Sequence, residues 1–299
     1  MRHGPLRPAE PPGTIGAAVG AAAARLARAG LAAPRVEAEL LLAGLLGTDR
    51  GGVVTRRPDP LDPRTRTRYE ERVDRRVSRE PFQHIVGVQQ FYGLELRSDR
   101  RALVPRPETE GLVDAALELP LPPGGRVADL GTGSACIAIA LAVRRPDLRL
   151  HALDRSPAAL ELARENARHH GVDGRIELRH GEMAEPPEDW HGRMDAVLSN
   201  PPYVSEAEWS RLEPEVRDHD PREALVAGPS GLEAYAALVP AAARILRPGA
   251  SLLLEIGWGQ SAAVTGIVSA AGFRDVLLRP DLRGVPRVLA ARRADTTRR

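Results

Sequence analysis

Residues 126–142 read RVADLGTGSACIAIALA, and the order of residue types in this stretch decides the fold. Arg126–Leu130 is a short apolar run of the kind used by a buried parallel strand. Gly131-Thr132-Gly133 follows without a spacer, and an Ala-rich helix is expected over 135–142. Glycines at such a turn let the backbone come close to a ligand. A dinucleotide fingerprint would continue as Gly-x-Gly-x-x-Gly. Here Cys136 stands at the third glycine's place, which weakens a nicotinamide reading. The next apolar run, 150–153, ends in Asp154, a carboxylate suited to a ribose diol. Ser156 then reads as an N-cap with Pro157 at the first helical position, and Gly171 stops the helix after His170. Strand, glycine loop, helix, strand, acid and helix make a nucleoside-binding half.

A second signal lies downstream. The apolar run Met194–Ser199 reads as a buried strand and ends in Asn200-Pro201-Pro202-Tyr203. Open α/β sheets bind ligands at the carboxyl edge, where this turn falls. Proline fixes φ, and the residue before a proline is pushed towards extended geometry. Asn200 is therefore held, and Tyr203 is offered as a flat platform. An amide, a rigid carbonyl and an aromatic face together suit a planar NH2 group, which donates hydrogen bonds while the ring packs on its π-system. Taken alone, the four residues also fit an ordinary proline-rich turn. With the glycine loop, the chain looks like a class I S-adenosylmethionine-dependent methyltransferase.

Composition sets outer limits. A length of 299 residues allows two domains, and the 42% hydrophobic and 27% charged content is that of a soluble globular protein. Cys136 is the only cysteine, so no intrachain disulfide or cysteine cluster can form. No apolar stretch approaches the ~18 residues of a membrane span, and the N-terminus lacks the apolar core of a secretory signal. A cytoplasmic location is the expectation. All 42 basic side chains are arginine, yet the net charge is only +2, so their number alone is no nucleic-acid footprint. The histidines show no ligand spacing, and no metal site is expected. Cys136 is expected to be a small buried hydrophobe.

The chain divides into segments of different character. Residues 1–13 are rich in proline and glycine and are expected to be disordered. Residues 14–80 are expected to form a small helical domain with helices over 14–29, 34–46 and 62–79. The third carries seven arginines, which fit either a solvated face or a docking surface for an acidic partner. Residues 81–104 alternate apolar and polar and read as a linking hairpin. The remaining domain, 105–299, has further strands at 176–179, 251–256, 275–278 and 286–291. The expected architecture is a doubly wound, seven-stranded, mostly parallel sheet.

The match then narrows. The chain resembles the HemK/PrmC family of protein-(glutamine) methyltransferases, which modify peptide chain release factors. The resemblance rests on FYG (91–93), VPRPETE (104–110), DLGTGS (129–134), NPPYV (200–204), DPREALVAGPSGL (220–232) and LLEIG (253–257). It implies S-adenosylmethionine as methyl donor, held by Gly131, Thr132, Gly133, Ser134 and Ala135. It implies Asp154 on the ribose hydroxyls, Glu182 and Met183 beside the adenine, and Asn200 near the cofactor as well. Asn200, Pro201, Pro202 and Tyr203 would hold the substrate glutamine. Two departures stand out: Ala135 where the family often has glycine, and Glu182-Met183 where aspartate and a larger side chain are usual. Glu108 and Glu110 fit an acidic first helical turn as well as a place beside the site. The expected partner is a class I release factor, with no membrane and no direct nucleic-acid substrate. A ribosomal-protein glutamine, a nucleic-acid amino group reached by base flipping, and an inactive cofactor-binding protein remain the alternatives.

Overall fold

The computed structural model describes residues 11–294. Residues 1–10, most of the segment expected to be disordered, lie outside the described residues. Just after them, the Pro11 and Gly13 carbonyls accept backbone hydrogen bonds from Thr14 and Leu61. The chain forms two compact units. One comprises Met1–Gly87 with the distant stretch Pro214–His219, and the other comprises Val88–Glu213 with Asp220–Arg299.

The first unit is helical. Its main helices are Ile15–Arg28, Pro34–Leu46 and Pro63–Val77. Thr14 and Asp62 cap the first and third by accepting from the amides of Ala17 and Thr65, satisfying donors that a helix start leaves open. Ile15, Val19, Leu26, Leu41, Leu42, Val53, Tyr69 and Val73 form its core, and the Tyr69 hydroxyl donates to the Ala38 carbonyl at 2.8 Å. Two short helices add to the expected three. Arg50–Thr55 (RGGVVT) has no periodicity to reveal it and is started by the Asp49 side chain. Phe82–Val86 occupies the start of the segment read as a hairpin, because five residues with three apolar side chains look alike in helix and strand. Of the seven arginines of Pro63–Val77 and the turn after it, Arg64 and Arg68 are exposed, Arg72 donates to the Leu41 carbonyl, and three form ion pairs. Arg75 pairs with Glu80, and buried Arg76 pairs with Glu37 and with Glu215 of the distant stretch. Arg79 also reaches Glu215, at 2.6 Å.

The second unit begins with a hairpin, β1 Val88–Phe91 and β2 Leu94–Arg97. Its main sheet contains β3 Arg126–Leu130, β4 Arg149–Asp154, β5 Ile176–His180 and β6 Met194–Ser199. A two-stranded parallel patch, β7 Val204–Ser205 with β8 Val226–Gly228, comes next. β9 Leu246–Glu255, β10 Phe273–Pro280 and β11 Pro286–Arg293 complete the main sheet. Its order is β10-β11-β9-β6-β3-β4-β5, with β11 antiparallel to both neighbours and the other four pairings parallel. β9 starts earlier than expected: Arg247-Pro248-Gly249 ends the preceding helix at Ile245 but is absorbed into the strand through a register shift against β6.

Alternation along the central strands feeds two cores. Ala196 and Leu198 of β6 pack on one face with the helix Cys136–Arg144, while Met194 and Val197 pack on the other with the helix Glu233–Ile245. Every residue of β6 is buried, as a strand covered on both faces requires. The chain leaves β3 for β4 and β5 and then returns to pair β6 on the other side of β3. That reversal opens a crevice at the carboxyl ends of β3 and β6, where such sheets bind ligands.

Candidate active site

The glycine loop after β3 spends its amides internally. Gly131 and Thr132 both donate to the Leu153 carbonyl of β4, at 2.8 and 3.0 Å. Gly133 donates to Asp154 Oδ2 at 2.8 Å, and Ala135 to the Thr132 carbonyl at 2.8 Å. A phosphate cradle needs such amides free to point at the ligand. This loop therefore suits a nucleoside without a pyrophosphate. Ala135, the departure from glycine, adopts the left-handed conformation with φ 63° and is fully buried at the start of the helix Cys136–Arg144.

Beside the loop lies a cleft of about 670 Å³, its open mouth included. Gly131, Gly133, Asp154, Glu182, Met183, Asn200 and Pro202 line it, bringing together residues from β3, β4, β5 and β6 ends. Thr132, Ser134 and Ala135 do not reach its wall. Thr132 turns its hydroxyl to Asp129 Oδ2 at 2.6 Å, and Ser134 and Ala135 are buried behind the loop. Asp154 accepts from the Gly133 and Ser156 amides, and burial raises its pKa above the usual carboxylate range despite them. Burial also pushes Asp129 up to about 7, with the Thr132 hydroxyl opposing. Met183 lies across Gly131, its Cε 3.4 Å from where a Cβ would sit. Glu182 faces Arg155 at 3.5 Å near the mouth.

The sequence reading did not single out the opposite wall. Arg101, Ala102 and Leu103 come from the stretch before VPRPETE, and Pro221, Glu223 and Ala224 from DPREALVAGPSGL. Arg101 is tied to Asp99 and Glu165, so it adds no free positive charge. Arg106 and buried Asp220 clamp the two stretches together at 2.6 Å. Burial raises Asp220 to about 6 against the pull of that guanidinium. A signal was available for Pro221, Glu223 and Ala224, whose stretch carried the family resemblance without an assigned place, but not for Arg101–Leu103, which precede VPRPETE.

The turn after β6 is held from several sides. Pro201 is buried, and half-buried Tyr203 donates its amide to the Leu225 carbonyl. Gln260 Nε2 donates to the Tyr203 carbonyl at 2.9 Å. Gly231 (φ 78°) passes so close that a Cβ would sit 2.7 Å from the same carbonyl, which excludes any other residue there. Tyr203 itself stays off the cavity wall; burial, with Glu255 nearby, raises its phenol to about 12 and keeps it neutral. Asn200 Nδ2 donates to Thr109 Oγ1 at 3.1 Å, and Thr109 Oγ1 donates to Glu255 Oε2 at 2.7 Å. Glu110 meanwhile accepts from the Tyr92 amide at 2.7 Å, so at this residue the acidic turn is structural. Cys136 is buried, and burial raises its thiol far above the usual range. Among the described residues, no group of three or more His, Cys, Asp or Glu side chains is placed to hold a metal ion. No helix among them is long and apolar enough to cross a membrane.

The comparisons with known proteins agree on one family. The family model described as "PrmC N-terminal domain" matches residues 17–87, and "Methyltransferase small domain" matches 112–213. A release factor glutamine methyltransferase of Cereibacter sphaeroides is 45% identical over 276 residues, 92% of this chain and 97% of the relative. Proteins of the same name from Geobacter sulfurreducens and Streptomyces coelicolor are each 41% identical, over 89% and 93% of this chain and 92% and 98% of theirs. The chain belongs to the release factor glutamine methyltransferase family. Among solved structures, the hMettl16 catalytic domain in complex with the MAT2A 3'UTR hairpin 6 is similar with a TM-score of 0.55 at 16% identity. That likeness covers 79% of this chain and 84% of the other, and it concerns the fold alone.

Proposed function

We propose that this chain methylates the side-chain amide nitrogen of the glutamine in the Gly-Gly-Gln motif of class I peptide chain release factors, with S-adenosylmethionine as donor. The observation that carries this reading is Asn200. Its NH2 is committed to Thr109, so its carbonyl oxygen is the atom left for a substrate amide at the edge of the cavity.

The cavity fits the donor by its chemistry. Its loop offers no cradle for phosphates, and with Arg155 set against Glu182 and Arg101 tied to Asp99 and Glu165, Asp154 and Glu223 remain on the wall to favour a positively charged ligand. Gly131, Gly133 and Met183 would border the nucleoside, Asp154 would take the ribose hydroxyls, and Glu182 would lie towards the base. Thr132, Ser134 and Ala135 would shape the loop from behind. The bound donor supplies an electrophilic methyl on a sulfonium.

A glutamine amide is a poor nucleophile because its nitrogen lone pair is delocalised into the carbonyl. The Asn200 Oδ1 and the Pro201 carbonyl accept its two hydrogens, orient the nitrogen and stabilise the positive charge that grows on it. Pro202 stiffens the turn, and the neutral Tyr203 ring packs beside the amide plane. The nitrogen held this way would receive the methyl that the bound donor would supply. One amide proton then leaves to water, so positioning rather than a strong base carries the reaction. The helical unit is assigned to docking the release factor, and the enzyme to the cytoplasm, where that partner works.

The test is methyl transfer from radiolabelled S-adenosylmethionine to an unmodified class I release factor, beside the same factor with its Gly-Gly-Gln glutamine replaced by alanine. Label on the first and not the second is expected. Label on neither, with the donor bound, would overturn the substrate and point to a ribosomal protein or a nucleic acid.

A further inference from the structure

We infer that Thr109 and Glu255 are positioning residues: a buried hydrogen-bond relay, Glu255 to Thr109 to Asn200, that fixes which end of the Asn200 amide faces the substrate. The inference rests on the function proposed above and goes beyond it by naming how the Asn200 amide is kept in one orientation.

The relay follows from topology. β9 runs parallel to β6, with Ser199 beside Leu254, so Glu255 at the end of β9 comes next to Asn200 at the end of β6. The Pro107–Thr109 turn brings Thr109 between them. Glu255 is 1% exposed and Thr109 2%, and neither lines the cavity. Their polar atoms therefore serve each other and Asn200 rather than solvent.

The direction of the relay is set by proton counting. Thr109 has one hydroxyl hydrogen, and its oxygen touches both a carboxylate oxygen and the Asn200 amide. A charged acceptor takes that hydrogen in preference to a neutral one. The Thr109 oxygen is then only an acceptor towards Asn200, so the Asn200 NH2 must face it. The Asn200 carbonyl is thereby turned the other way. With the amide flipped, two donors would meet the substrate's own NH2, and the pocket would repel the group it is built to hold.

The relay holds its direction only while Glu255 is ionised. A protonated Glu255 can donate to Thr109, which frees the threonine hydrogen for Asn200 and permits the flip. Burial pushes Glu255 up to about 7, opposed by the Thr109 hydrogen bond and the charge of Arg287 on β11. Glu108 raises it further and Arg106 lowers it, both from the stretch that carries Thr109. Two neutral phenols complete its surroundings: Tyr203, and Tyr235, which donates to the Glu255 backbone carbonyl.

The experiment measures kcat, KM and pH profile for the release factor in Thr109→Val, Thr109→Ser and Glu255→Gln, with donor affinity by calorimetry. Thr109→Val is expected to lower kcat about 10- to 100-fold, as losing one buried hydrogen-bond partner does, with donor affinity within about threefold. Thr109→Ser should restore most of the loss. The wild type should lose kcat as pH falls through about 7, and Glu255→Gln, whose carbonyl accepts from Thr109 at any pH, should flatten that limb. Full kcat in Thr109→Val, or an unchanged acid limb in Glu255→Gln, overturns the relay. If Thr109→Val does not fold, the Ser and Gln variants decide through rescue and pH profile. A wild type inert on the factor overturns the function and the relay together; an active wild type with indifferent variants overturns the relay alone.

Discussion

The helical unit and the strand ends β3, β4 and β9 of the sheet unit treat buried charge in opposite ways. In the helical unit, Arg76 meets Glu37 and Glu215, Glu39 meets Arg35 and Arg50, and Glu80 meets Arg75. At the carboxyl edge of the sheet, Asp129, Asp154 and Glu255 are held instead by hydroxyls and backbone amides. Among the described residues none of these three forms an ion pair, and burial raises the pKa of each. A paired buried charge is satisfied at home and fixes architecture. A buried carboxylate with only neutral donors stays responsive to what enters the cavity, which is what a site for a positively charged donor requires.

The largest effect should come from breaking a pair. Arg76→Ala leaves Glu37 and Glu215 facing each other without their shared cation. Removing one partner of a buried pair costs about 3–5 kcal/mol. Urea unfolding followed by circular dichroism should show a loss of that order. A loss below about 1 kcal/mol, the worth of an exposed pair, would erase the contrast between the units.

At the sheet edge the effects should fall on function. Asn200→Ala is expected to lower kcat about 100- to 1000-fold, the scale for removing one oriented group at a reacting centre, with donor affinity within a few-fold. Asp154→Ala should do the reverse, weakening donor binding about 10- to 100-fold by removing a charged hydrogen-bond acceptor. Calorimetry and steady-state rates separate the two. Equal losses of kcat and affinity in both variants would mean that the loop and the turn act as one unit.

Much of this was legible in the sequence, for identifiable reasons. Strands buried on both faces announce themselves as apolar runs, so β3 and β6 and the crevice between them could be placed from RVADL and MDAVLS. Local geometry marked Asn200 and Asp154 because each closes such a run. What stayed hidden depends on contacts distant in sequence. Nothing local says that Thr109 would meet Glu255, 146 residues away, or that Glu215 would join Arg76, 139 residues away. The loop is divided in a way its sequence does not show: of the five consecutive residues expected at the ligand, Gly131 and Gly133 line the cavity wall.

The pH response should separate the units by sign. Asp129 and Glu255 are raised to about 7, so the stability they contribute is full below their unfolded values near 4 and is lost as pH rises through about 7. Glu215 behaves oppositely. Burial raises it, but its helix amide, the Arg79 hydrogen bond and the Arg76 charge outweigh that and leave it lowered. Its contribution is present above the unfolded value and is lost as pH falls through the folded one. The ligand-free chain should therefore gain on the order of 1–2 kcal/mol per raised carboxylate between pH 7 and pH 5, since one pKa unit is worth about 1.4 kcal/mol. Asp129→Asn should flatten that rise and leave the acid loss below pH 4 in place. A stability that climbs from pH 5 to 7 would show that these carboxylates are not held as described.

The smallest effect concerns backbone strain. The helical unit ends the helix Pro34–Leu46 with Gly47 at φ 61°, whereas the site loop puts Ala135 at φ 63°. A left-handed residue with a Cβ costs about 1–2 kcal/mol, so the same strain is avoided at this helix end and carried in the site loop. Gly47→Ala tests the cost cleanly, because a Cβ there meets nothing within 4 Å, and it should destabilise by about 1 kcal/mol. Ala135→Gly should not return an equal gain. It relieves the strain but removes a fully buried methyl worth about 0.8 kcal/mol and loosens the unfolded chain by about 0.5–1 kcal/mol. The net change should be smaller in size than that of Gly47→Ala, measured by the same urea unfolding. A gain of about 1 kcal/mol or more would mean that the Ala135 methyl packs against nothing useful, and that the loop carries its strain for the site rather than for the fold.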